Sequence, residues 1–463
     1  MRAPGEILLV ACYELGHQPL AVAWPAAFLE REGYRPATMD VSVEPFDPEK
    51  IARARVVAIS VPMHTALRLG VMVAERARAV NPGCHICFYG LYASLNADHL
   101  FAHGADSVIG GEAEAPLVEL VQMLEAGDGR PVPFVHLRGR PAAPHLKRLD
   151  FPVPSRTALP SLKQYAHVDR GGRLDLAGYV EASRGCRHLC RHCPIPPVYG
   201  GRFFAVPRET VLADIRQQVE TGATHITFGD PDFLNGPTHA LALARALHAE
   251  WPALTFDFTA KIEHLLRHRA HLTELAGLGC LFIVSAAESL NDAVLAHLDK
   301  GHTRTDIVAV LRAAREARIT LRPTWVAFTP WTALDDYREW LDFLEAEALI
   351  DHVDPVQYSL RLLVPPGSLL LESPAMMPFL GALERETLSY RWTHPDPRMD
   401  RLQEAVAAGV AEAADRGDEA PATFDRVRGL ADEAAGFPPR AGIAGHLAAD
   451  RPRPPRLTEA WFC

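Results

Sequence analysis

The chain has 463 residues, of which 48% are hydrophobic and 22% charged, and a formal net charge of −10 at pH 7. These proportions are those of an ordinary globular protein of two or three domains. The acidic balance argues against a nucleic-acid-binding surface, which is usually basic, and no segment approaches the ~20 apolar residues that span a bilayer.

Cysteine usage and the first residues indicate a reducing compartment. Eight cysteines in this length do not make a disulfide scaffold, and they suggest metal or catalytic chemistry instead. Residues 1–6 lack the long apolar core and the cleavage site of a signal peptide. We therefore expect a cytoplasmic protein that binds neither nucleic acid nor membranes.

The first predicted domain, residues 1–128, alternates short apolar strands with helices. Its strands are expected at residues 7–11, 35–40, 56–60, 84–89 and 107–109. Buried strands that alternate with helices predict a parallel sheet covered on both faces, which is a doubly wound α/β fold. Ligands of such folds bind at the carboxyl ends of the strands.

A second series of strands and helices follows a proline-rich stretch. Residues 129–175 are predicted to be a linker, because seven prolines fall between residues 130 and 160. Six strands are then expected at residues 180–183, 225–228, 255–259, 281–285, 321–327 and 356–362. They predict a partial (β/α)6 TIM-like barrel over residues 176–374, with its chemistry at the carboxyl ends of the strands. Residues 375–463 are predicted to form a helical region and a tail.

Three cysteines in a C-x3-C-x2-C array follow the first strand of the predicted barrel. Cys186, Cys190 and Cys193 can hold three irons of a [4Fe–4S] cluster and leave the fourth iron open, whereas clusters normally take four cysteines. A zinc site is the alternative, since His188 and His192 lie inside the array. A closed zinc site usually pairs two ligand clusters, and no second cluster follows at a suitable distance.

The cysteine array, with the segments around it, resembles that of radical S-adenosylmethionine (SAM) enzymes with an N-terminal cobalamin-binding-like (B12-binding) domain. The resemblance covers roughly residues 5–370. It implies that the amino acid end of SAM takes the open iron. It also implies that one electron from the cluster splits SAM into methionine and a 5′-deoxyadenosyl radical.

The resemblance extends to four segments of the first domain, at residues 13–19, 60–64, 89–93 and 110–112, all at predicted strand ends. Glycines there let the backbone approach a large ligand. The D-x-H-x-x-G sequence that offers a histidine to cobalt in many cobalamin proteins is absent, and we expect His17 and His64 to be loop hydrogen-bonders. The alternative to cobalamin binding is a domain that only packs against the barrel.

The resemblance also implies residues that hold SAM near the cluster. His192 occupies the position of a residue that touches adenine, although ordinary loop solvation is a rival role. Gly229 begins the segment that meets the SAM amino group. Asp230 is the preferred acceptor for that ammonium and Asp232 the second, and an Asx turn before a helix is the alternative.

Further SAM contacts are implied at the ends of later strands. Glu288 and Ser289 resemble the polar pair that holds the ribose hydroxyls. Lys261 and Arg322 lie at or near strand ends, where either can meet the SAM carboxylate or an anionic substrate. Strand-end salt bridges are the alternative for both, and Arg361 is a weaker candidate.

The last eight residues, 456–463, resemble the start of the tail in a radical SAM subgroup called CUAEP/CCAEP-tail. In that subgroup a cysteine is followed by selenocysteine or cysteine and then Ala-Glu-Pro, whereas this sequence stops at the first cysteine, Cys463. One hypothesis is that a selenocysteine codon was read as a stop. The alternative is an ordinary terminus with a free thiol.

The expected function is therefore that of a radical SAM enzyme with a [4Fe–4S] cluster on its three cysteines. If cobalamin is bound, the expected reaction is methyl transfer to an unactivated carbon or phosphorus. A cobalamin-independent radical SAM enzyme (rearrangement, coupling or transfer of another part of SAM) and a non-catalytic zinc or Fe–S scaffold are the alternatives. The substrate, a small molecule or a peptide, does not follow from the sequence, and the resemblance implies a flavodoxin or ferredoxin as electron donor.

Overall fold

A computed structural model describes residues 1–438, 440–448 and 451–459. The N-terminal domain contains a six-stranded sheet. Its strands are Ile7–Ala11 (β1), Ala37–Asp40 (β2), Val56–Ser60 (β3), His85–Tyr89 (β4), Ser107–Ile109 (β5) and Val135–Leu137 (β6). They lie in the order β2-β1-β3-β4-β5-β6, with β1 to β5 parallel and β6 antiparallel to β5. Every residue of β1 and β3 is buried, as expected for apolar runs in a sheet covered on both faces.

Helices cover both faces of this sheet. They are Leu20–Arg31 (α1), Pro48–Arg53 (α2), His64–Val80 (α3), Leu91–Leu95 (α4), Ala97–Ala102 (α5) and Glu114–Ala126 (α6). Along β1, Leu9 packs in the same core as α1 and α6, whereas Leu8 and Val10 pack in the core that contains α3. This alternation confirms the predicted doubly wound fold.

The second sheet curls into a partial barrel. Its region contains the strands His167–Arg170 (β7), Arg173–Val180 (β8), Ser183–Gly185 (β9), Phe203–Ala205 (β10), His225–Phe228 (β11), Thr255–Thr259 (β12), Cys280–Glu288 (β13) and Thr320–Trp325 (β14). β8, β11, β12, β13 and β14 are neighbours in that order and parallel, and β7 is antiparallel to β8. β9 and β10 form a separate antiparallel ribbon.

Eight helices accompany the strands of the barrel region. They are Ile195–Tyr199 (α7), Arg208–Glu220 (α8), Pro237–Glu250 (α9), Ile262–Arg267 (α10), Leu272–Gly277 (α11), Asp292–His297 (α12), Arg304–Ala317 (α13) and Leu334–Ala346 (α14). The largest hydrophobic core contains buried side chains of α8, α9 and α13 together with those of the parallel strands. The predicted partial barrel is therefore confirmed.

The expected sixth barrel strand, residues 356–362, is wrong. A 3-10 helix, Pro355–Ser359, occupies most of this run, and only a single bridge joins Phe328 to Arg361. The proline begins the turn, and the side-chain oxygen of Gln357 accepts a hydrogen bond from the backbone N–H of Trp325 at 3.0 Å. The Gln357 side chain thus accepts a backbone hydrogen bond from the edge of β14, where the backbone of a sixth strand was expected.

The segment predicted as a linker is packed against both domains. Arg156, at the centre of it, donates two hydrogen bonds to Asp214 of α8 at 2.6 and 2.8 Å. It also donates to the side chain of Gln18 in the first domain at 2.8 Å and to the backbone carbonyl of Tyr179 in β8 at 2.7 Å. Its two ends supply β6 to the first sheet and β7 to the second.

The C-terminal region adds a hairpin to the predicted helices. It contains Leu380–Glu384 (β15), Ser389–Trp392 (β16), Pro397–Arg416 (α15), Ala420–Ala434 (α16) and Arg456–Leu457 (β17). β17 pairs antiparallel with β7 and so becomes the seventh strand of the barrel sheet. None of the helices formed by the described residues has both the length and the apolar character that a bilayer span requires.

Candidate active site

The three cysteines lie on a loop that begins directly after β9. Cys186 and Cys190 are buried, Cys193 is half-buried, and none of the three is in a disulfide. Gly185, just before the loop, has φ +75°, and a Cβ at this position would lie 2.4 Å from the carbonyl oxygen of Arg202. Only glycine therefore allows the loop to leave the β9–β10 ribbon at this point.

Neighbouring elements hold the ends and the middle of the loop. The side-chain oxygen of Asn235 accepts the backbone N–H of Arg187 at 3.2 Å, and the carbonyl of Leu298 accepts that of Arg191 at 2.9 Å. The hydroxyl of Ser368 donates to the carbonyl of Arg191 at 3.3 Å. The loop is thus fixed by residues from three separate parts of the barrel region.

The thiols suit a cluster better than a single zinc ion. Burial, together with the neighbouring cysteines, raises the pKa of Cys193 to about 12, so the thiolates need a cationic partner. Four ligands ~2.3 Å from a tetrahedral zinc lie less than ~4 Å apart. Among the described residues, the group of three metal-ligating side chains with atoms within 4.8 Å of one another contains none of these cysteines. The loop therefore fits an iron–sulfur cluster, which spreads its ligands further apart.

Asp230, the preferred ammonium acceptor, is tied to the start of the cysteine loop. One carboxylate oxygen accepts the backbone N–H of Ala182 at 2.8 Å, and the other accepts the hydroxyl of Ser183 at 2.5 Å. Burial raises the pKa of Asp230 to about 7. The structure thus gives Asp230 an anchoring role, and its contact with SAM stays a prediction.

Asp232 and Gly229, also named from the sequence, have structural roles next to β11. Asp232 accepts the backbone N–H of Leu234 at 3.0 Å, which is the Asx turn weighed as an alternative. A Cβ at Gly229 would lie 2.1 Å from the hydroxyl of Tyr179, so only glycine fits beside this ring. Asp232 is fully buried, and its second oxygen faces His264.

The structure brings His192 and Glu288 together, although 96 residues separate them. His192 Nε2 lies 3.1 Å from Glu288 Oε1, and Lys300 Nζ donates to the same oxygen at 3.1 Å. Burial alone would raise the pKa of Glu288, but Lys300 and His192 outweigh burial and hold it well below its usual range. No sequence pattern indicates Lys300, because it lies in a turn without a recognisable motif. Ser289, next to this group, accepts the backbone N–H of Asn291 at 3.1 Å.

Lys261 and Arg322 make the salt bridges weighed as their alternative. Lys261 Nζ lies 3.6 Å from Glu263 Oε2, and Arg322 Nη2 donates to Asp354 Oδ1 at 3.1 Å. Arg322 is the third residue of β14, three positions before the end of the strand, or ~10 Å along it. It therefore lies inside the barrel rather than at the level of the cysteine loop.

A cleft lies between the carboxyl edge of the first sheet and the mouth of the barrel. It is open to solvent on one side and has a volume of about 350 Å³. The residues that line it from the first domain include Ser60, Met63, Tyr89, Gly90 and Ala113, and those from the barrel include Tyr179, Arg184, Gly185, Ile195 and Gly229. Its mostly apolar lining and its position at strand ends fit a large flat ligand such as cobalamin.

No histidine lines this cleft among the described residues. His17 stacks on Tyr179 with ring centroids 4.3 Å apart, and His64 meets Tyr92 edge-on at 6.0 Å. The hydrogen-bonding role expected for these two histidines stays a prediction.

One arginine joins the two domains at the wall of the cleft. Arg184 Nη1 lies 2.6 Å from Glu114 and 3.2 Å from Glu112, and its Nε lies 2.9 Å from Glu181. Burial raises the pKa of Glu112 to about 7, although Arg184 lowers it. Tyr199 donates to Glu112 at 2.8 Å. Of these residues only Glu112, in the segment 110–112, is indicated by the sequence, and no pattern indicates that the five side chains meet.

Two family models match the chain in the regions just described. Residues 180–343 match the model of the radical SAM superfamily, and residues 7–121 match that of the B12 binding domain. These domains imply a [4Fe–4S] cluster, SAM and cobalamin. The cysteine loop and the cleft are the sites whose residues fit the cluster and cobalamin.

Curated relatives match parts of the chain. The ribosomal protein uS12 methylthiotransferase RimO of Chlorobium chlorochromatii is 23% identical over 184 residues, which are 36% of this chain and 40% of that protein. The anaerobic magnesium-protoporphyrin IX monomethyl ester cyclase of Synechocystis is 29% identical over 270 residues, 54% of this chain and 50% of that protein. The chain thus spans half or less of the length of these two relatives.

Two solved structures share the fold at low identity. The cobalamin-dependent S-adenosylmethionine radical enzyme OxsB, with aqua-cobalamin and SAM bound, has a TM-score of 0.70 at 15% identity, covering 88% of this chain and 67% of that one. The radical SAM methyltransferase TsrM from Kitasatospora setae, with tryptophan and a SAM analogue bound, has a TM-score of 0.60 at 18% identity, covering 74% and 71%. Both show the same two-domain fold.

Proposed function

We propose that this chain, in which a B12-binding domain precedes a radical SAM domain, is a cobalamin-dependent radical SAM enzyme that transfers a methyl group to an unactivated carbon or phosphorus. The observation that carries the proposal is the position of the cleft. Gly185 and Ile195, which flank the cysteine loop on either side, line the same cleft as Ser60, Tyr89 and Gly90 at the edge of the first sheet. A ligand in the cleft therefore lies against the two residues between which the cysteine loop runs.

The cofactors and the protein have separate tasks in this proposal. When bound, the cluster supplies the electron that cleaves SAM, and cobalamin supplies a carrier for the methyl group. Cys186, Cys190 and Cys193 hold the cluster, and Asp230 fixes the strand end from which their loop departs. Apolar walls of the cleft exclude water from the space between the two domains.

The Glu288 group is proposed to hold the nucleoside end of SAM. Because Lys300 and His192 keep Glu288 ionised, its second oxygen is a fixed hydrogen-bond acceptor suited to ribose hydroxyls. The guanidinium of Arg184, which three carboxylates surround, keeps the two domains at a constant separation. These residues position ligands and move no proton in the proposed cycle.

The test is SAM cleavage by protein purified anaerobically from cells supplied with iron and cobalamin. We expect methionine and 5′-deoxyadenosine, together with S-adenosylhomocysteine from repeated methylation of the carrier. Replacing Cys190 with Ala should abolish cluster binding and cleavage. Cys280→Ala is the matched control, because Cys280 is buried in β13 outside the loop. SAM cleavage retained in Cys190→Ala would remove the central assignment, whereas cleavage without bound cobalt would favour the cobalamin-independent alternative.

We also propose that the chain belongs to the CUAEP/CCAEP-tail subgroup. The sequence of residues 456–463 supports this proposal by its resemblance to the start of that tail. In the structure β17 joins the barrel sheet, and Glu459 lines a cavity together with His17 and Arg322. Burial raises the pKa of Glu459 to about 8. Residues 460–463, with Cys463, lie outside the described residues. Sequencing the gene past codon 463 decides the matter: a TGA codon followed by codons for Ala-Glu-Pro supports the proposal, and any other context rejects it.

The proposed setting is the cytoplasm, with a flavodoxin or ferredoxin as electron donor and a small molecule or peptide as substrate. The net charge of −10 supports a setting without nucleic acid. Reduction of the cluster by a purified flavodoxin, followed by its visible absorbance, tests the donor. If the cluster absorbance bleaches no faster with reduced flavodoxin than in buffer without any reductant, flavodoxin is rejected as the donor.

A further inference from the structure

Three metal-ligating side chains meet beside the cysteine loop. His188, Asp232 and His264 bring ligand atoms within 4.8 Å of one another. His188 Nε2 lies 3.2 Å from His264 Nε2 and 3.7 Å from Asp232 Oδ2. His264 Nδ1 lies 2.8 Å from the same carboxylate oxygen. One imidazole offers one nitrogen to an ion, so the ligand atoms are His188 Nε2, Asp232 Oδ2 and His264 Nδ1. The two nitrogens lie 3.7 and 2.8 Å from the carboxylate oxygen, which brackets the ~3.3 Å between ligands of a tetrahedral ion with ~2.0–2.1 Å bonds. The contact between the two Nε2 atoms is a hydrogen bond within the protein.

The protein leaves part of this group without a hydrogen bond. Asp232 is fully buried and His264 is 5% exposed. Within the described residues His264 Nδ1 has no hydrogen-bond partner, so its short contact with Asp232 is a close approach without hydrogen-bond geometry. A buried nitrogen in this state destabilises the fold, because it has lost its hydrogen bond to water without gaining another. An ion that accepts its lone pair removes this destabilisation.

Charged side chains surround the group. Glu263 Oε2 lies 3.7 Å from His188 Nδ1 and 3.6 Å from Lys261 Nζ, and Glu263 Oε1 lies 2.6 Å from Arg267 Nη2. Lys261 and Arg267 thus balance the charges of Asp232 and Glu263. The unpaired imidazole nitrogen and the spacing of the ligand atoms, and not an excess of negative charge, therefore point to an ion.

We propose that His188, Asp232 and His264 form a mononuclear site for a divalent first-row transition ion, with zinc as the reference ion, separate from the cluster. Two imidazoles and a carboxylate are the donor set of zinc sites with three protein ligands and an open fourth position. His188 belongs to the cysteine loop, Asp232 to the turn after β11 and His264 to α10. The ion ties these three elements together and stiffens the loop that carries the cluster ligands.

The first test measures zinc in holoenzyme whose cysteines are already occupied by the cluster. After incubation with zinc chloride and gel filtration, elemental analysis should find about one zinc per chain beside about four irons. His188→Ala and His264→Ala should each weaken zinc binding by more than ~100-fold, because loss of an outer-shell partner alone costs 10–100-fold. His271→Ala is the matched control, since His271 is 41% exposed and pairs with Glu274. Its zinc content should equal that of the wild type.

X-ray absorption at the zinc edge of the wild-type holoenzyme is the second test, and it stands even if a variant fails to fold. A shell of nitrogen and oxygen with two imidazoles supports the site. A zinc–sulfur distance of ~2.3 Å would place the ion on the cysteines and overturn the proposal. Wild-type protein without zinc, or zinc undiminished in both histidine variants, would overturn it as well. None of these results depends on SAM cleavage, so the site and the proposed function fail separately.

Discussion

Replacing Arg156 with Met tests how the segment between the domains holds them together. The Arg156 and Asp214 side chains are 7% and 3% exposed, and the arginine also binds Gln18 and the carbonyl of Tyr179. The variant leaves the carboxylate of Asp214 buried without a partner, so we expect the free energy of unfolding to fall by ~3–5 kcal/mol. Because the lost contacts span both domains, the cleft should open in the same variant.

The matched control is Arg216→Met on the same helix, α8. Arg216 pairs with Glu250 at the surface, with the two side chains 49% and 36% exposed, and such pairs contribute ~1 kcal/mol or less. Urea denaturation followed by tryptophan fluorescence measures both variants. Double replacement Arg156→Met with Asp214→Leu should recover part of the loss, since both buried charges are then gone.

The pH dependence of the Arg156→Met variant gives a second measure. Burial raises the pKa of Asp214 and Arg156 lowers it, so the variant raises this pKa further. A folded-state pKa above the unfolded value favours folding at low pH and loses that contribution as pH rises through the folded pKa. The deficit against wild type should therefore be smaller at pH 5 than at pH 8. A deficit no larger than that of Arg216→Met, or one independent of pH, would refute this reasoning.

Three further predictions concern the site itself. Lys300→Met removes a charge-assisted hydrogen bond of ~1.5–3 kcal/mol from Glu288, so the affinity for SAM in equilibrium dialysis should fall about 10- to 100-fold; unchanged affinity would remove the nucleoside assignment. Gly229→Ala places a Cβ 2.1 Å from a tyrosine hydroxyl and should reduce the iron retained per chain, whereas Gly277→Ala, which meets open space, should not; equal iron in both would contradict the steric argument. Because burial raises the pKa of Glu112 from 4.5 to about 7, the folded state binds this proton more tightly than the unfolded state does, and the resulting stability is lost as pH rises from about 4.5 to about 7. The melting temperature should therefore fall between pH 5 and pH 7 and level off above about pH 8. Glu112→Gln should flatten that fall, and an unaltered slope in this variant would refute the assignment.

The sequence was sufficient for the fold wherever local pattern and tertiary environment agree. The strands β1 and β3 are apolar runs bounded by turns, and burial on both faces is what such runs require. The cysteine array was equally readable, because its chemistry depends on spacing along one loop. The strand predicted for residues 356–362 does not form, because the side chain of Gln357 accepts the backbone N–H at the edge of β14 in place of a ladder of backbone hydrogen bonds.

The partners of the site residues could not be read from the sequence. Lys300 reaches Glu288 only because the turn after α12 folds back over the end of β13. The meeting of His188 with His264 likewise depends on how the cysteine loop leans toward α10. Such contacts are set by the packing of distant elements, and a single sequence carries no record of them.

The most direct test of the central claim is the iron and cobalt content of protein purified anaerobically from cells supplied with iron and cobalamin. We expect about four irons per chain, the content of one cluster, with cobalt present. Both metals should stay with the protein through gel filtration. Little iron after attempted reconstitution, with zinc bound through sulfur at the cysteines, would contradict it.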